Sequence, residues 1–261
     1  MKQNKTLIFA TTALMIAATF VATPNAKAGD LAPGEGGYVG VFMGFGTGMI
    51  QAKVNTLDNA NNSAVGEANT IELERGGLGL SGIQGGGYAG WGMKTADDLY
   101  FGAELGMAAS DEKFEITSSK GVKVIDRNGG GAADSTFTKV SAQRNWVAGG
   151  ALRVGYYINS ETLFALKGGV AISQFDLDIG SDTETYYAGG PQMGASVETK
   201  LSKIDPNLSL RMEFVYTDYL TADILGSPGQ GQAGAGTGGD AENTITGHDT
   251  AARIGVQYSF F

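Results

Sequence analysis

Eight stretches of this 261-residue chain alternate between apolar residues and small or polar ones with a period of two. The last stretch, Thr250–Phe261, places Ile254 and Val256 in one set and Arg253 and Gln257 in the other. A period of two puts the two sets on opposite faces of a β-strand. A strand at the end of a sheet carries unpaired backbone groups unless the sheet closes on itself. The pattern therefore predicts an all-β chain whose sheet closes into an eight-stranded, antiparallel, up-and-down barrel.

The predicted strands are joined by connections of two kinds. Short turns fall at Thr95–Asp98, Asn159–Glu161 and Ile204–Asn207. The long polar segments are Gln51–Gly79, Asp111–Ala142, Asp176–Gly190 and Thr221–Asp249. The predicted strands are Tyr38–Met49, Ser81–Lys94, Leu99–Ser110, Gln143–Tyr157, Thr162–Phe175, Pro191–Leu201, Asn207–Tyr219 and Thr250–Phe261. Long and short connections alternate, so the long loops should all lie at one end of the barrel, as in outer-membrane barrels.

Residues 1–28 have the features of a cleaved secretory signal peptide. A lysine-containing start precedes the uncharged run Leu7–Val21, and Ala26–Ala28 has the small-x-small pattern of a cleavage site. The uncharged run is short for a membrane span of about 20 residues. We therefore expect a signal peptide over 1–28 and one barrel domain over 29–261. After residue 28 no run of about 18 apolar residues occurs, so only a closed barrel could span a membrane.

Composition excludes several classes of function. The chain has no cysteine, which excludes disulfides, thiolate metal sites and a lipid-anchored cysteine. The formal net charge is −9, and it becomes more negative without residues 1–28, which contain three lysines and no acidic residue. Nucleic acid is therefore not expected as a partner, because phosphate binding needs a basic surface. The 42 glycines follow no collagen period, and many lie inside the alternating stretches.

The alternation alone does not decide which face of the barrel points outward. A soluble, lipocalin-like barrel would place its apolar face inside. The asymmetry of the loops favours a transmembrane barrel, and the glycine-rich polar face suits a narrow lumen. Aromatic residues near strand ends, expected to form girdles at the membrane interfaces, favour it too. These residues are Tyr38, Trp91, Tyr100, Trp146, Tyr156, Tyr219 and Tyr258.

Several motifs resemble one family of membrane barrels. Gly90–Met93, Leu99–Gly106, Asn207–Tyr219 and the C-terminal strand resemble those of eight-stranded OmpA-like proteins. The resemblance is closer to opacity-type surface proteins and small "porin family" outer-membrane proteins of alphaproteobacteria. It implies a monomer in the outer membrane of a Gram-negative bacterium, in contact with outer-membrane lipid. It also implies an adhesin-like or antigenic role, with host or envelope partners bound through the loops.

The resemblance further implies that the barrel-assembly machinery recognises the C-terminal aromatic residues, here Tyr258, Phe260 and Phe261. Phe260 is in register with the apolar set that includes Tyr258, and Phe261 is one residue extra. Which phenylalanine carries the signal is therefore open.

Charged residues recur on the polar face of the predicted strands. They are Glu104, Arg153, Lys167, Glu198, Lys200, Arg211, Glu213 and Arg253. The interior of an eight-stranded barrel is only wide enough for side chains to fill it. Isolated charges there are costly, so opposite charges should pair across the lumen. Two interpretations follow, a gated polar path and a structural plug of ion pairs, and we favour the plug.

The sequence offers few other candidates for catalytic or metal-binding residues. His248 is the only histidine, and His248 with Asp249 is weak evidence for acid–base work, so we interpret it as a solvated loop residue. The acidic group Asp176, Asp178, Asp182 and Glu184 could hold Ca²⁺, but a solvated acidic loop is the preferred interpretation. Gly226–Gly239 lacks the lysine of a phosphate-binding loop.

The sequence therefore predicts no catalytic residue, no metal site and no cofactor. The expected function is a non-enzymatic one, which combines a structural role with cell-surface interaction through the long loops. The alternative is a small porin-like channel for ions or small solutes.

Overall fold

A computed structural model describes residues 31–57, 68–72, 78–123, 136–179, 182–223 and 244–260. The predicted signal peptide, the glycine-rich segment 226–239 and Phe261 lie outside the described residues. Nine strands are present in the described part of the chain. They are β1 (Gly36–Leu57), β2 (Ala68–Glu72), β3 (Leu78–Lys94), β4 (Leu99–Lys123), β5 (Thr136–Asn159), β6 (Thr162–Ile179), β7 (Asp182–Lys200), β8 (Leu208–Asp223) and β9 (Thr244–Phe260).

Eight of these strands close into a barrel. Each strand from β3 to β8 pairs antiparallel with the next one along the chain, and β1 pairs with β3. The barrel closes between β1 and β9, in a ladder that runs from Gly37 opposite Phe260 to Lys53 opposite Thr244. The short strand β2 lies outside this ring and pairs only with the end of β1. The predicted eight-stranded, antiparallel, up-and-down barrel is confirmed.

The two ends of the barrel differ in the connections they carry. At one end, called here the turn end, the three short connections occur as predicted. In the first, the backbone N–H of Asp98 donates to Thr95 O at 3.2 Å, and Asp98 has a φ of 59°. In the last, the N–H of Asn207 donates to the side chain of Asp205 at 2.8 Å. The opposite end is called the loop end.

The strands extend further toward the loop end than predicted. β4 continues to Lys123, and β5 begins at Thr136. The predicted loop 176–190 is mostly strand, because β6 ends at Ile179 and β7 begins at Asp182. The predicted ends were wrong because they were placed where the apolar set stops. Hydrogen bonding between strands does not require an apolar outer face beyond the membrane. The ladders therefore continue past the point where the apolar set ends.

The apolar face of the barrel points outward. Leu105 and Leu152 are 72% and 68% exposed, whereas Arg153 and Glu198 have no exposed surface. A soluble barrel has the opposite arrangement. Water would be a poor solvent for a continuous apolar surface of this extent. The fold is therefore that of a transmembrane β-barrel, whose outer side chains face lipid and whose polar side chains fill the lumen. Within the described residues, no helix is long and apolar enough to cross a membrane.

The predicted aromatic girdles are only partly present. Trp91 and Tyr156 lie half-exposed on the outer face, as expected. Tyr38, Tyr100 and Tyr219 are buried inside the barrel, so their assignment to the girdles was wrong. Their phenol groups point into the lumen because these residues belong to the inward-facing set of their strands. Proximity to a strand end did not distinguish the two faces.

Candidate functional site

The charged residues of the lumen form a layer halfway along the barrel. This central charge layer comprises Glu104, Arg153, Lys167, Glu198, Arg211, Glu213 and Arg253. Strands β4 to β9 contribute these side chains, each from the inward-facing set. Their side chains are all at least nine-tenths buried, and Arg253 is the most exposed of them at 10%. The layer thus spans the lumen from one wall to the other.

Arg211 lies at the centre of the layer. Its Nη1 donates to Glu104 Oε2 at 2.5 Å, and its Nη2 donates to Glu213. Lys167 Nζ donates to the other oxygens of this group, to Glu213 at 2.7 Å and to Glu104 at 3.3 Å. Arg153 donates to Glu198 on the turn-end side. Charge-assisted hydrogen bonds of this kind are stronger than neutral ones, so the network holds the walls together.

Neutral side chains complete the central charge layer. Arg153 Nη1 donates to the Tyr38 hydroxyl at 3.3 Å, and that hydroxyl donates to Glu104 at 3.3 Å. The guanidinium of Arg211 lies over the ring of Tyr88, 4.5 Å from its centroid. Buried charges are tolerated when they are both paired and hydrogen-bonded. Tyr38 thus supplies hydrogen bonds that the carboxylates alone do not, and Tyr88 supplies a cation–π contact.

A second group of charges lies nearer the loop end. This upper charge layer consists of Glu112, Arg144 and Asp249, all almost completely buried. Arg144 donates to Asp249 and to Glu112, each at 2.5 Å. The hydroxyl of Tyr219 accepts a further bond from Arg144 at 3.2 Å. The lumen is therefore crossed by two separate charge layers.

Sequence reasoning missed all three residues of the upper charge layer. Glu112 and Asp249 continue the inward-facing alternation of β4 and β9, but both had been placed in loops. Arg144 was missed for another reason. Arg144 pairs with Phe175 and Trp146 pairs with Gln174, so Asn145 between them has no partner. This β-bulge reverses the alternation and turns Arg144 inward. Extending the alternation into the predicted loops would have found the two acids.

Two of the predicted lumen residues differ from the others. Lys200 is the last residue of β7, lies at the turn end and is half-buried. Arg253 borders the layer, with its Nη1 3.8 Å from Glu213 Oε1. The remaining six predicted residues meet as one network.

A small cavity separates the two charge layers. Its volume is about 30 Å³, and its walls include Glu104, Lys167, Glu213 and Arg253 on the polar side. Phe42, Ala108 and Val147 border it on the apolar side, and Ala171 packs in the same cluster. A cavity of about 10–15 Å³ already holds a water molecule. In the described part of the barrel, this pocket is thus a small space between two layers of buried charges.

The turn end of the lumen is covered by residues that precede β1. A tight turn is made there, with the N–H of Glu35 donating to Ala32 O at 3.0 Å. The hydroxyl of Tyr157 donates to Pro33 O at 2.8 Å, and Ala32 packs in a cluster with Tyr100 and Tyr157. We call residues 32–35 the N-terminal turn. It closes the mouth of the barrel beneath the central charge layer.

The histidine and the acidic group that were considered as candidate sites do not lie in the predicted loops. His248 is not a loop residue: it lies in β9, faces outward and stacks on Tyr216 with ring centroids 6.0 Å apart. Asp176 lies in β6 and accepts hydrogen bonds from Asn145 and Thr185, each at 2.7 Å. The side chains of Asp178, Asp182 and Glu184 lie outside those described. Among the described residues, no group of three or more potential metal ligands occurs.

No protein-family model matches the chain, and no curated protein matches it significantly. Among solved structures, the outer-membrane protein OprG of Pseudomonas aeruginosa is 17% identical, with a TM-score of 0.49, over 86% of this chain and 96% of that one. The Ail protein of Yersinia pestis is 8% identical, with a TM-score of 0.37, over 85% and 99%. The outer-membrane protease OmpT of Escherichia coli is 9% identical, with a TM-score of 0.46, over 92% and 99%. The fold assignment rests on the strand pairing of the chain itself.

Proposed function

We propose that this protein is a non-enzymatic outer-membrane β-barrel of a Gram-negative bacterium, with a structural role and a cell-surface interaction role. The observation that carries the proposal is the lumen, which is filled by buried, hydrogen-bonded ion pairs between two opposite walls. A lumen filled in this way stabilises the barrel from inside, as a packed core stabilises a soluble protein. The motifs in β3, β4, β8 and β9 resemble opacity-type proteins, which supports assignment to that kind of surface protein.

The β4–β5 hairpin supports the interaction role. Its ladder runs as far as Lys123 opposite Thr136, whereas β3 pairs with β4 only up to Lys113. On the other side, β6 pairs with β5 only up to Val140. Beyond both neighbours the paired backbone therefore projects by four residues on β5, residues 136–139, which is about 13 Å at the usual rise of a strand. A projecting hairpin presents a surface to partners outside the membrane.

Cell fractionation and gel mobility test the location. We expect the native protein in the outer-membrane fraction, and we expect its unheated form to migrate differently from its heated form in detergent gels. The closed, fully paired barrel resists detergent until it is heated, because its edges are absent. Recovery of the native protein as a soluble periplasmic species would contradict the membrane assignment.

Conductance in planar bilayers tests the closed lumen. The wild-type barrel should pass no steady ion current, because both charge layers cross the lumen. Arg211→Ala removes the centre of one layer and leaves the other, so we expect brief openings at most. The double variant Arg211→Ala with Arg144→Ala weakens both layers and should open more often than the single variant, while the N-terminal turn still covers the turn end of the lumen. Lys203→Ala, in an exposed turn, is the control and should behave as wild type.

A small ion channel is the second candidate function. The cavity between the two charge layers favours it, since it is an existing polar space in the lumen. The same experiment separates the candidates. A steady, ion-selective current through the wild type, with selectivity altered in Arg211→Ala, would reject the closed lumen and establish the channel.

A further inference from the structure

Two aromatic rings meet on the outer face of the barrel, on the side of the loop end. Trp146 on β5 and Tyr187 on β7 both lie opposite Gln174 on β6. Their ring centroids are 6.1 Å apart, so the two rings lean toward each other over β6. The indole Nε1 of Trp146 donates to Gln174 Oε1, and Tyr187 is 55% exposed. We call Trp146 and Tyr187 the aromatic platform.

A carboxylate lies beside the aromatic platform, two residues further along β6 toward the loop end. Asp176 accepts a hydrogen bond from Asn145 at Oδ2 and one from Thr185 at Oδ1, each at 2.7 Å. Both bonds come from neutral donors. They use two of the roughly four lone-pair positions of a carboxylate, so half-buried Asp176 can accept further hydrogen bonds.

The aromatic platform marks the level at which the outer face changes from apolar to polar. On its turn-end side, Ala148, Ile172 and Gly189 lie side by side on β5, β6 and β7. Tryptophan and tyrosine rings prefer the headgroup level of a membrane. In an outer-membrane barrel the long loops lie outside, so this level belongs to the outer leaflet. A girdle of this kind accounts for the rings and not for the carboxylate beside them.

We propose that the aromatic platform and Asp176 bind the saccharide headgroup of a glycolipid in the outer leaflet. This inference rests on the proposed outer-membrane location. The faces of a sugar ring carry C–H groups, which the negative faces of aromatic rings attract. Sugar hydroxyls donate to a carboxylate, whereas a phosphate offers only acceptors and a charge that Asp176 repels. The acyl chains of the lipid lie along the apolar surface at Ile172.

The two tryptophans of the chain provide a reporter and an internal control. Trp91→Phe leaves Trp146 as the reporter, and Trp146→Phe leaves Trp91, which is exposed on the outer face near the turn end. Each variant is placed in phosphatidylcholine nanodiscs that contain brominated digalactosyl diacylglycerol or brominated phosphatidylcholine, because bromine quenches nearby indole fluorescence. Half-quenching of Trp146 should need about 2–10-fold less galactolipid, the preference that one additional hydrogen bond gives. Trp91 should be quenched equally by both lipids.

Substitutions beside the reporter test the chemistry. In the Trp91→Phe background, Asp176→Ala and Tyr187→Leu should each lose the preference for galactolipid. Tyr156→Leu removes an outer aromatic residue near the turn end and should keep it. A preference that survives both Asp176→Ala and Tyr187→Leu would overturn the proposal.

The lipid comparison decides the class of ligand. Equal quenching of Trp146 by galactolipid and phosphatidylcholine would overturn the saccharide site. Brominated phosphatidylglycerol that quenches Trp146 as strongly as the galactolipid would overturn it too, because that lipid has an anionic phosphate and no sugar ring. A native protein that is found soluble in the periplasm would instead contradict the membrane location, and the inference would fall with it.

Discussion

Two glycines make room for the tyrosines that complete the central charge layer. Tyr38 on β1 lies opposite Gly90 on β3, and Tyr88 on β3 lies opposite Gly40 on β1. A Cβ atom added at Gly90 would lie 2.5 Å from the hydroxyl oxygen of Tyr38 and 2.6 Å from a backbone oxygen. The ring of each tyrosine thus occupies the space that a side chain would take. The abundance of glycine is in part a requirement of this packing.

Replacement of one glycine tests this packing. Gly90→Ala should destabilise the barrel by about 1–3 kcal/mol, because the added methyl group overlaps Tyr38 and a rigid backbone atom. Gly168→Ala is the matched control, since a Cβ atom there meets nothing within 4 Å. It should change stability by no more than about 0.5 kcal/mol. Urea unfolding in detergent measures both, and equal losses for the two variants would contradict the proposed role of Gly90.

The β-bulge at Asn145 sets which face of β5 carries Arg144. One extra residue lies between the pair Arg144–Phe175 and the pair Trp146–Gln174. In regular alternation Arg144 would share the outward face of Trp146, two residues away, and the bulge places the two side chains on opposite faces instead. The upper charge layer therefore depends on this bulge as well as on the composition of the strand.

Deletion of Asn145 should leave a folded but less stable barrel. The deletion makes Arg144 the direct neighbour of the outward-facing Trp146, so ordinary alternation still turns Arg144 inward. Two residues of β4 would then have no residue opposite them, so the pairing of Glu112 with Arg144 has to shift or break. Breaking a buried ion pair costs about 3–5 kcal/mol. Asn145→Ala is the control, because it keeps the residue count and loses the hydrogen bond to Asp176. Urea unfolding in detergent measures both, and a deletion variant as stable as Asn145→Ala would show that the bulge is dispensable.

At the scale of the whole molecule, the barrel is completed by the pairing of its first and last strands. Phe260 pairs with Gly37 at the turn end of this ladder. Deletion of Phe260 and Phe261 together should sharply reduce the amount of assembled protein in the outer membrane, measured by heat-modifiable gel mobility. The two single deletions would show which phenylalanine carries the assembly signal. Unchanged assembly in the double deletion would show that neither does.

The barrel was predictable from the sequence because its two faces alternate without interruption over most of each strand. Six of the eight predicted lumen charges meet in one network for the same reason. The girdle assignment failed because it used proximity to a strand end and not the alternation. Tyr38 and Trp91 are both aromatic and near strand ends, yet Tyr38 belongs to the inward-facing set and Trp91 to the outward-facing set. Arg144 was hidden by a bulge that no local sequence pattern marks.

The ladder between β1 and β9 also has a kinetic consequence. Every other pairing in the barrel joins strands that are neighbours along the chain, so each can form as a local hairpin. The β1–β9 ladder joins residues from opposite ends of the barrel domain, as Gly37 and Phe260 do. Contacts between distant residues cost more loop-closure entropy and form slowly. The last contact to form should therefore be this seam, and an insertion intermediate should be an open, curved sheet whose lumen charges still face water.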